Sequence, residues 1–430
     1  MKFAKILRAS TLGAILVALA AVPKPAAAAT DVESFYKSKV LTMYIGVSAG
    51  GGYDAYARMV ARHIVRFIPG NPRMVAKNYT GAGGMRMLNS LFNVFKQDGT
   101  NVAHVMRNTV SEPLFGNKNA KYDGSKIKWL GSANQEYSLC TFWYTHGIKT
   151  VEDMTSQPLI MGGQNVGSTI DIHTRLVNNL LGGQMRLVTG YPGGADINLA
   201  MQRGEVQGRC AWSWSSINAT GAQWLRDKKI TMTLQFAMKQ HPDLKHVPLI
   251  RDLVKNKRDA QALDVHLSAQ LFGRPFGMGP GVPDDRFKAM RKAFWTTMND
   301  KKFLSDSKKR RLQIDPARGE EVERLVKMIY AFPPDVIARA KEIGTSSERT
   351  KVSKAVIPVN TYMGKITKVK RAGRRVSWKG DGTKGKLKVS GSKTKVTIGG
   401  KKAKRKSLKV GMACSFKVRG TSQALNIDCK

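Results

Sequence analysis

Residues 41–68 read LTMYIGVSAGGGYDAYARMVARHIVRFI. Leu41, Met43, Ile45 and Val47 share one side of an extended run, the period-two pattern of a strand. Ser48 to Gly52 break it. From Tyr53 the period becomes helical, with Tyr56, Val60, Ile64 and Phe67 on one face and Arg58, Arg62 and Arg66 on the other. Pro69 and Gly70 stop the helix. A glycine turn between a strand and a helix N-terminus exposes unpaired N–H groups carrying about half a positive charge, and an anion such as a carboxylate fits there. A tight turn without a ligand accounts for this stretch alone equally well.

The same device recurs. Met74 to Asn78 reads as a strand, and Thr80-Gly81-Ala82-Gly83-Gly84 precede a helix with Met87, Leu88 and Leu91 inward. Leu159 to Gly162 leads into Gly167-Ser168-Thr169 and another helix. There a hydroxyl can cap the helix or bind a ligand oxygen. Met185 to Thr189 leads through Gly190–Gly194 to a helix opened by Asp196, and Val206 to Trp214 return as a strand. Its Trp212 and Trp214 alternate onto one face. Strands alternating with helices predict α/β domains with a parallel sheet. The full dinucleotide fingerprint GxGxxG is absent, so no nicotinamide cofactor is expected.

Composition bounds the rest. The 430 residues suffice for two or three domains, and the formal net charge is +42. From Thr345 to Lys430 there are 24 Lys and Arg against 3 Asp and Glu, so this tail carries +21, half of the total. Anionic partners are favoured. The N-terminus has the form of a secretory signal peptide: Lys2, Lys5 and Arg8, an apolar Thr11–Val22, then Ala27-Ala28-Ala29 as the cleavage site. Four cysteines in an exported chain permit one bridge per domain, Cys140–Cys210 and Cys414–Cys429, with free buried thiols as the alternative. No CxxC occurs and the seven histidines are dispersed, so no metal site is expected. No GxSxG or other nucleophile–base arrangement is present, so no enzyme is expected.

In order and spacing, AGGGYDAYAR (49–58), NYTGAGG (78–84) and YPGGADINLAMQRGEVQGR (191–209), with the segment 163–173, resemble the extracytoplasmic receptors of tripartite tricarboxylate transporters, the Bug-type receptors. The likeness runs from about Phe35 to Gly344. It departs from many members at Ser48-Ala49-Gly50, where a proline is common, and at Pro192, where a basic residue is common. The resemblance implies a type II periplasmic-binding-protein fold, with two α/β domains around a cleft that binds a small carboxylate for delivery to an integral membrane permease. It implies a periplasmic location and no cofactor. Carried over by motif, the ligand-facing candidates are Ser48, Gly51, Gly52, Asp54, Asn78, Gly81, Gly83, Gly167, Ser168, Thr169, Gly193, Ala195 and Asp196. The expected division is a signal peptide at 1–29, a first α/β domain at 30–137 and 265–344, a second at 138–264, a linker at 345–357 and a basic domain at 358–430.

That last segment is outside the resemblance. GKITKV, GRRVSWK, GKLKVSG, TKVTIGG and ACSFKVRG alternate basic or polar residues with apolar ones and are separated by glycines. Five or six short strands in a small β-barrel are expected, with lysines on the outer face. Its candidate partners are anionic envelope lipid or polysaccharide. Only Trp378 and Phe416 are available to stack bases, so nucleic acid is not favoured. The rival reading of the whole chain is an adhesive or signalling envelope protein whose basic tail carries the function.

Overall fold

The computed structural model describes residues 32–354, 359–380, 382–392, 394–419 and 423–430. The expected signal peptide and residues 355–357 of the expected linker lie outside them. The chain divides into two compact units. One runs to Leu187 and from Tyr191 to Lys351, and the other comprises Val188–Gly190 and Val352–Lys430.

The first unit holds two α/β lobes, each built on its own sheet. In the first lobe β1 (Val40–Ile45) pairs in parallel with β2 (Arg73–Asn78) and β3 (Asn101–His104). Successive side chains of β1 enter two cores on opposite faces of the sheet. Leu41, Met43 and Ile45 meet Tyr56, Val60 and Ile64 of helix α1 (Gly52–Ile64), whereas Tyr44 meets Met87, Leu88 and Leu91 of helix α2 (Met85–Asn93). The expected parallel sheet is in fact mixed. Strand β10 (Pro275–Met278) enters antiparallel between β3 and β4 (Lys128–Ser132), and a two-residue β11 (Ala317–Arg318) flanks β4. β10 arrives from the other lobe rather than through a crossover helix, so nothing holds it to the parallel sense.

In the second lobe β5 (Ser138–Trp143), β6 (Pro158–Gly162), β7 (Gln184–Thr189), β8 (Gly208–Ser213) and β9 (Ile230–Phe236) run in the order β7-β6-β8-β5-β9. Here too the sheet is mixed: β6 and β8 are parallel, and β5 is antiparallel to both β8 and β9. A disulfide joins Cys140 on β5 to Cys210 on β8 inside the core. Helix α3 (Thr169–Leu181) covers this core with Ile172, Leu176 and Val177. Two sequence expectations change here. Strand β8 ends at Ser213, and Trp214 starts the helix Trp214–Thr220, so the two tryptophans do not share a strand face. The last helix of this unit, Pro334–Thr345, was expected with the first lobe. It buries Val336, Ala340 and Ile343 in the second lobe's core, because its apolar stripe meets α3 and the helix Lys257–Ser268 there.

The second unit is all-β. After a short β12 (Val352–Lys354) come β13 (Val359–Lys370), β14 (Arg375–Gly380), β15 (Thr383–Lys388), β16 (Lys395–Ile398), β17 (Lys401–Lys402), β18 (Ala413–Arg419) and β19 (Gln423–Cys429). Strands β15-β14-β13-β18-β19 pair in sequence, and β15 returns to β19 at Lys388 and Gln423, which closes a small barrel. Ile366, Val376, Trp378, Leu387, Phe416 and Ile427 fill it, and Cys414–Cys429 bridges β18 to β19. Trp378 and Phe416 are 3% and 0% exposed and stack on each other inside, so neither is available to a base.

Candidate functional site

The turn before α1 is held by its own side chains. Gly50 has φ +98°, open to glycine, and its N–H donates to Asp54 Oδ2 at 3.0 Å. Asp54 Oδ1 accepts from Arg58 Nε at 2.9 Å and from Asn78 Nδ2 at 2.8 Å. Asn78 also donates to the Val47 carbonyl at 2.9 Å, tying the end of β2 to the end of β1. The start of α3 repeats the arrangement. Gly167 has φ +82°, its N–H donates to Asp171 Oδ2 at 2.8 Å, and Arg175 Nε donates to Asp171 Oδ1 at 3.0 Å. Both lobes therefore use the spacing Gly-x3-Asp-x3-Arg to set a helix N-terminus. The electrostatic outcomes differ. At Asp54 burial raises the carboxyl, but the hydrogen bonds from Arg58, Asn78 and Gly50 outweigh it and hold the group below its usual range. At Asp171 burial dominates, and the group stays above its usual range despite Arg175.

Between the lobes lies a cavity. It is lined by Ser48, Gly51, Gly52 and Tyr53 at the start of α1, by Thr169 and Ile170 at the start of α3, and by Gly194 and Ala195 at the start of α4 (Gly194–Gln202). Three helix N-termini thus border one space. The centres of water-sized molecules can occupy about 60 Å³ of it, room for roughly four to six waters or a small solute.

Three arginines also line it: Arg107, Arg209 and Arg274. Arg274 is neutralised. Its Nε donates to Glu136 Oε1 at 2.7 Å, both side chains are 1% exposed, and its Nη2 reaches Ser215 at 3.0 Å and Ser216 at 2.7 Å. Arg209 and Arg107 have no carboxylate partner among the described residues. Arg209 Nη1 donates to the Gly194 carbonyl at 2.9 Å and to Asn198 Oδ1 at 3.0 Å. Arg107 Nη2 donates to Ser138 Oγ at 2.7 Å, and its Nη1 to Tyr53 Oη at 3.2 Å. Arg209 and Arg107 are 5% and 2% exposed, and the Nε of each has no partner among the described residues. Burial alone pushes Arg209 down to about 9, so it is still charged at neutral pH. A buried cation without a counter-ion is costly, and an anion entering this cavity relieves it.

Of the residues expected from sequence, Ser48, Gly51, Gly52, Thr169 and Ala195 line the cavity. Gly193 abuts Ser48, where a Cβ would stand 2.2 Å from its Oγ, and Asp196 accepts a hydrogen bond from Ser48 Oγ at 2.8 Å. Asp54 and Asn78 are turned into the turn they stabilise. Ser168 caps α3 through the Asp171 N–H at 3.3 Å, and the Gly167 carbonyl accepts from Asn108 at 3.1 Å. Gly81 (φ +142°) and Gly83 (φ +62°) shape the second turn, and Gly83 lies against Asn165 and Ser168. The arginines escaped the sequence reading, as did Tyr53, Gln164 and Asn198. Each arginine stands alone in an apolar or small-residue run (VMRNTV, QGRCAW, FGRPFG), and a lone charge in such a run is the one signal that could have found them. His104 and His173 are core residues stacked on Phe276 and Phe236, and burial lowers both well below the usual histidine range.

No protein-family model matches the chain, and no curated protein does. Solved structures do. The periplasmic binding protein BugD is 15% identical, covers 74% of this chain and 100% of its own, and superposes with a TM-score of 0.58. A Rhodopseudomonas palustris protein with adipate is 17% identical over 70% of this chain and 96% of its own, with a TM-score of 0.56. MatC from the same organism, with bound malate, is 16% identical over 69% and 98%, with a TM-score of 0.55. The fold of the first unit is therefore that of the Bug-type periplasmic binding proteins.

Proposed function

We propose that the chain is an extracytoplasmic solute receptor, without enzymatic activity, that binds one small carboxylate between its lobes. The observation that carries this reading is the pair Arg107 and Arg209, two buried guanidiniums without a carboxylate partner that line the cavity beside three helix N-termini. They take the ligand's negative charge, and the N–H groups of Gly51, Gly52, Thr169 and Gly193–Ala195 supply donors, whereas the Ser48 and Thr169 hydroxyls donate within the protein, to Asp196 and Asn108. Asp54, Asn78, Gly81, Gly83, Gly167 and Ser168 shape the turns that present them. Malate and adipate in two structures of the same fold agree with this ligand class. In this reading the receptor acts in the periplasm and hands its ligand to a tripartite tricarboxylate-type permease.

The test is thermal unfolding of the full chain, and of Arg209→Met, against a panel of small mono-, di- and tricarboxylates with neutral and cationic solutes as controls. A ligand at a hundredfold excess over its dissociation constant adds about 2.7 kcal/mol of stability. One carboxylate that stabilises the native chain and not the variant supports the proposal. Stabilisation by a neutral or cationic solute alone, or by none of the panel, rejects it.

A further inference from the structure

The outer face of the barrel carries a regular lattice of cations. On β13, Lys365, Lys368 and Lys370 are exposed, as are Arg375 and Lys379 on β14, and Lys384, Lys386 and Lys388 on β15. The register aligns them in rows: Lys365 lies opposite Lys379, and Lys379 opposite Lys384. Lys370 lies opposite Arg375, and Arg375 opposite Lys388. In the row between, Ser377 separates Lys368 from Lys386. Directly opposite residues share a face, with strands about 4.8 Å apart and same-face neighbours about 6.8 Å apart along a strand. Like charges in such positions repel. No carboxylate pairs with any of the eight among the described residues. The arrangement weakens the free barrel and fits a densely anionic partner.

Two further observations select the partner. No aromatic ring lies on this face among the described residues. Trp378 and Phe416 are inside, and Tyr362 packs on Trp378 at 5.0 Å, so the stacking that single-stranded nucleic acid uses is missing. In addition, the outward row of β13 continues from Lys365 to Met363, which is 53% exposed. Lysine stems with one apolar side chain beside them match the boundary between anionic headgroups and acyl chains. We propose that the face formed by β13, β14 and β15 docks this protein on an anionic lipid bilayer.

The experiment is co-sedimentation of the full chain with vesicles of phosphatidylglycerol and phosphatidylcholine in equal parts, and with pure phosphatidylcholine, at about 0.1 M salt and above. Two quadruple variants with the same loss of charge are compared. One removes Lys365, Lys368, Lys386 and Lys388 as glutamines. The other does so at Lys288, Lys292, Lys301 and Lys302, exposed lysines of the first unit. The expected result is binding to the anionic vesicles alone and release by salt. The barrel variant should lose roughly a hundredfold or more, the other variant under about threefold. Equal losses in the two variants overturn the proposal. So does retention on single-stranded RNA without retention on anionic vesicles.

Discussion

The Ser48 hydroxyl donates a 2.8 Å hydrogen bond to Asp196, joining the turn after β1 in one lobe to the start of α4 in the other. The Ser48 N–H points the same way, toward the Pro192 carbonyl at 3.4 Å. A negative group at the mouth of an anion site opposes the ligand unless it is occupied, and Ser48 occupies it. In the proposed receptor the pair would act as a latch between the lobes. Ser48→Ala should open the lobes and weaken ligand affinity by roughly tenfold to 150-fold, the range of a hydrogen bond to a charged group. Small-angle scattering would show a larger radius in the variant. An unchanged radius together with unchanged affinity rules the latch out.

Arg209 and Arg274 should respond in opposite senses to the same substitution. Arg274→Met strands Glu136, which is 1% exposed, and should cost about 3–5 kcal/mol. Arg209→Met removes a buried charge that has no counter-ion. The ligand-free chain should lose nothing or gain about 1–4 kcal/mol, while carboxylate binding disappears. Denaturant unfolding without ligand separates the two. Equal destabilisation by both variants would mean that Arg209 is structural.

How much of this was legible in the chain depends on range. Strand–turn–helix units such as 41–68, and the lysine-alternating strands of the barrel, are written in local periodicity and read directly. The Gly-x3-Asp-x3-Arg spacing at Gly50 and Gly167 was equally local, but recognising it required seeing that the aspartate takes its own turn's N–H and is not left for a ligand. Arg107, Arg209 and Arg274 lie at or beside the ends of three separated strands, and among 72 Lys and Arg a lone arginine in an apolar run is only a faint signal until the fold buries it. The helix Pro334–Thr345 has an ordinary amphipathic stripe, and nothing local says which lobe it will cover.

The two copies of that spacing differ in burial, and so in cost. Arg58 is 39% exposed and can return to water when Asp54 is lost, whereas Arg175 is 1% exposed. Asp54→Ala should cost about 1–2 kcal/mol, the value of the hydrogen bonds it accepts. Asp171→Ala leaves a buried guanidinium without its carboxylate and should cost about 3–5 kcal/mol. Urea midpoints of the two variants measure the difference, and the reverse order would contradict the burial argument.

The last prediction concerns pH. Glu112 is 3% exposed, one of its oxygens accepts from Asn117 at 2.6 Å, and the other has no partner among the described residues. Burial, reinforced by Asp171 and opposed by Asn117, raises its carboxyl from 4.5 to about 7. A carboxyl raised on folding holds its proton longer in the native state. Its contribution is therefore complete below about 4.5 and is lost as pH rises toward 7. The loss amounts to about 3 kcal/mol at most. Glu112→Gln cannot ionise. Relative to the native chain it should be similar at pH 4 and progressively more stable between pH 5 and 7, reaching the full difference near pH 8. Unfolding free energies of both proteins across this window test it, and parallel curves would show that Glu112 ionises normally. Because Gly167 lies against this carboxyl, at 3.3 Å from where its Cβ would stand, the charge that appears above pH 7 also presses on the turn before α3. Carboxylate affinity in the native chain should then fall from pH 6 to pH 8, and the glutamine variant should hold it constant.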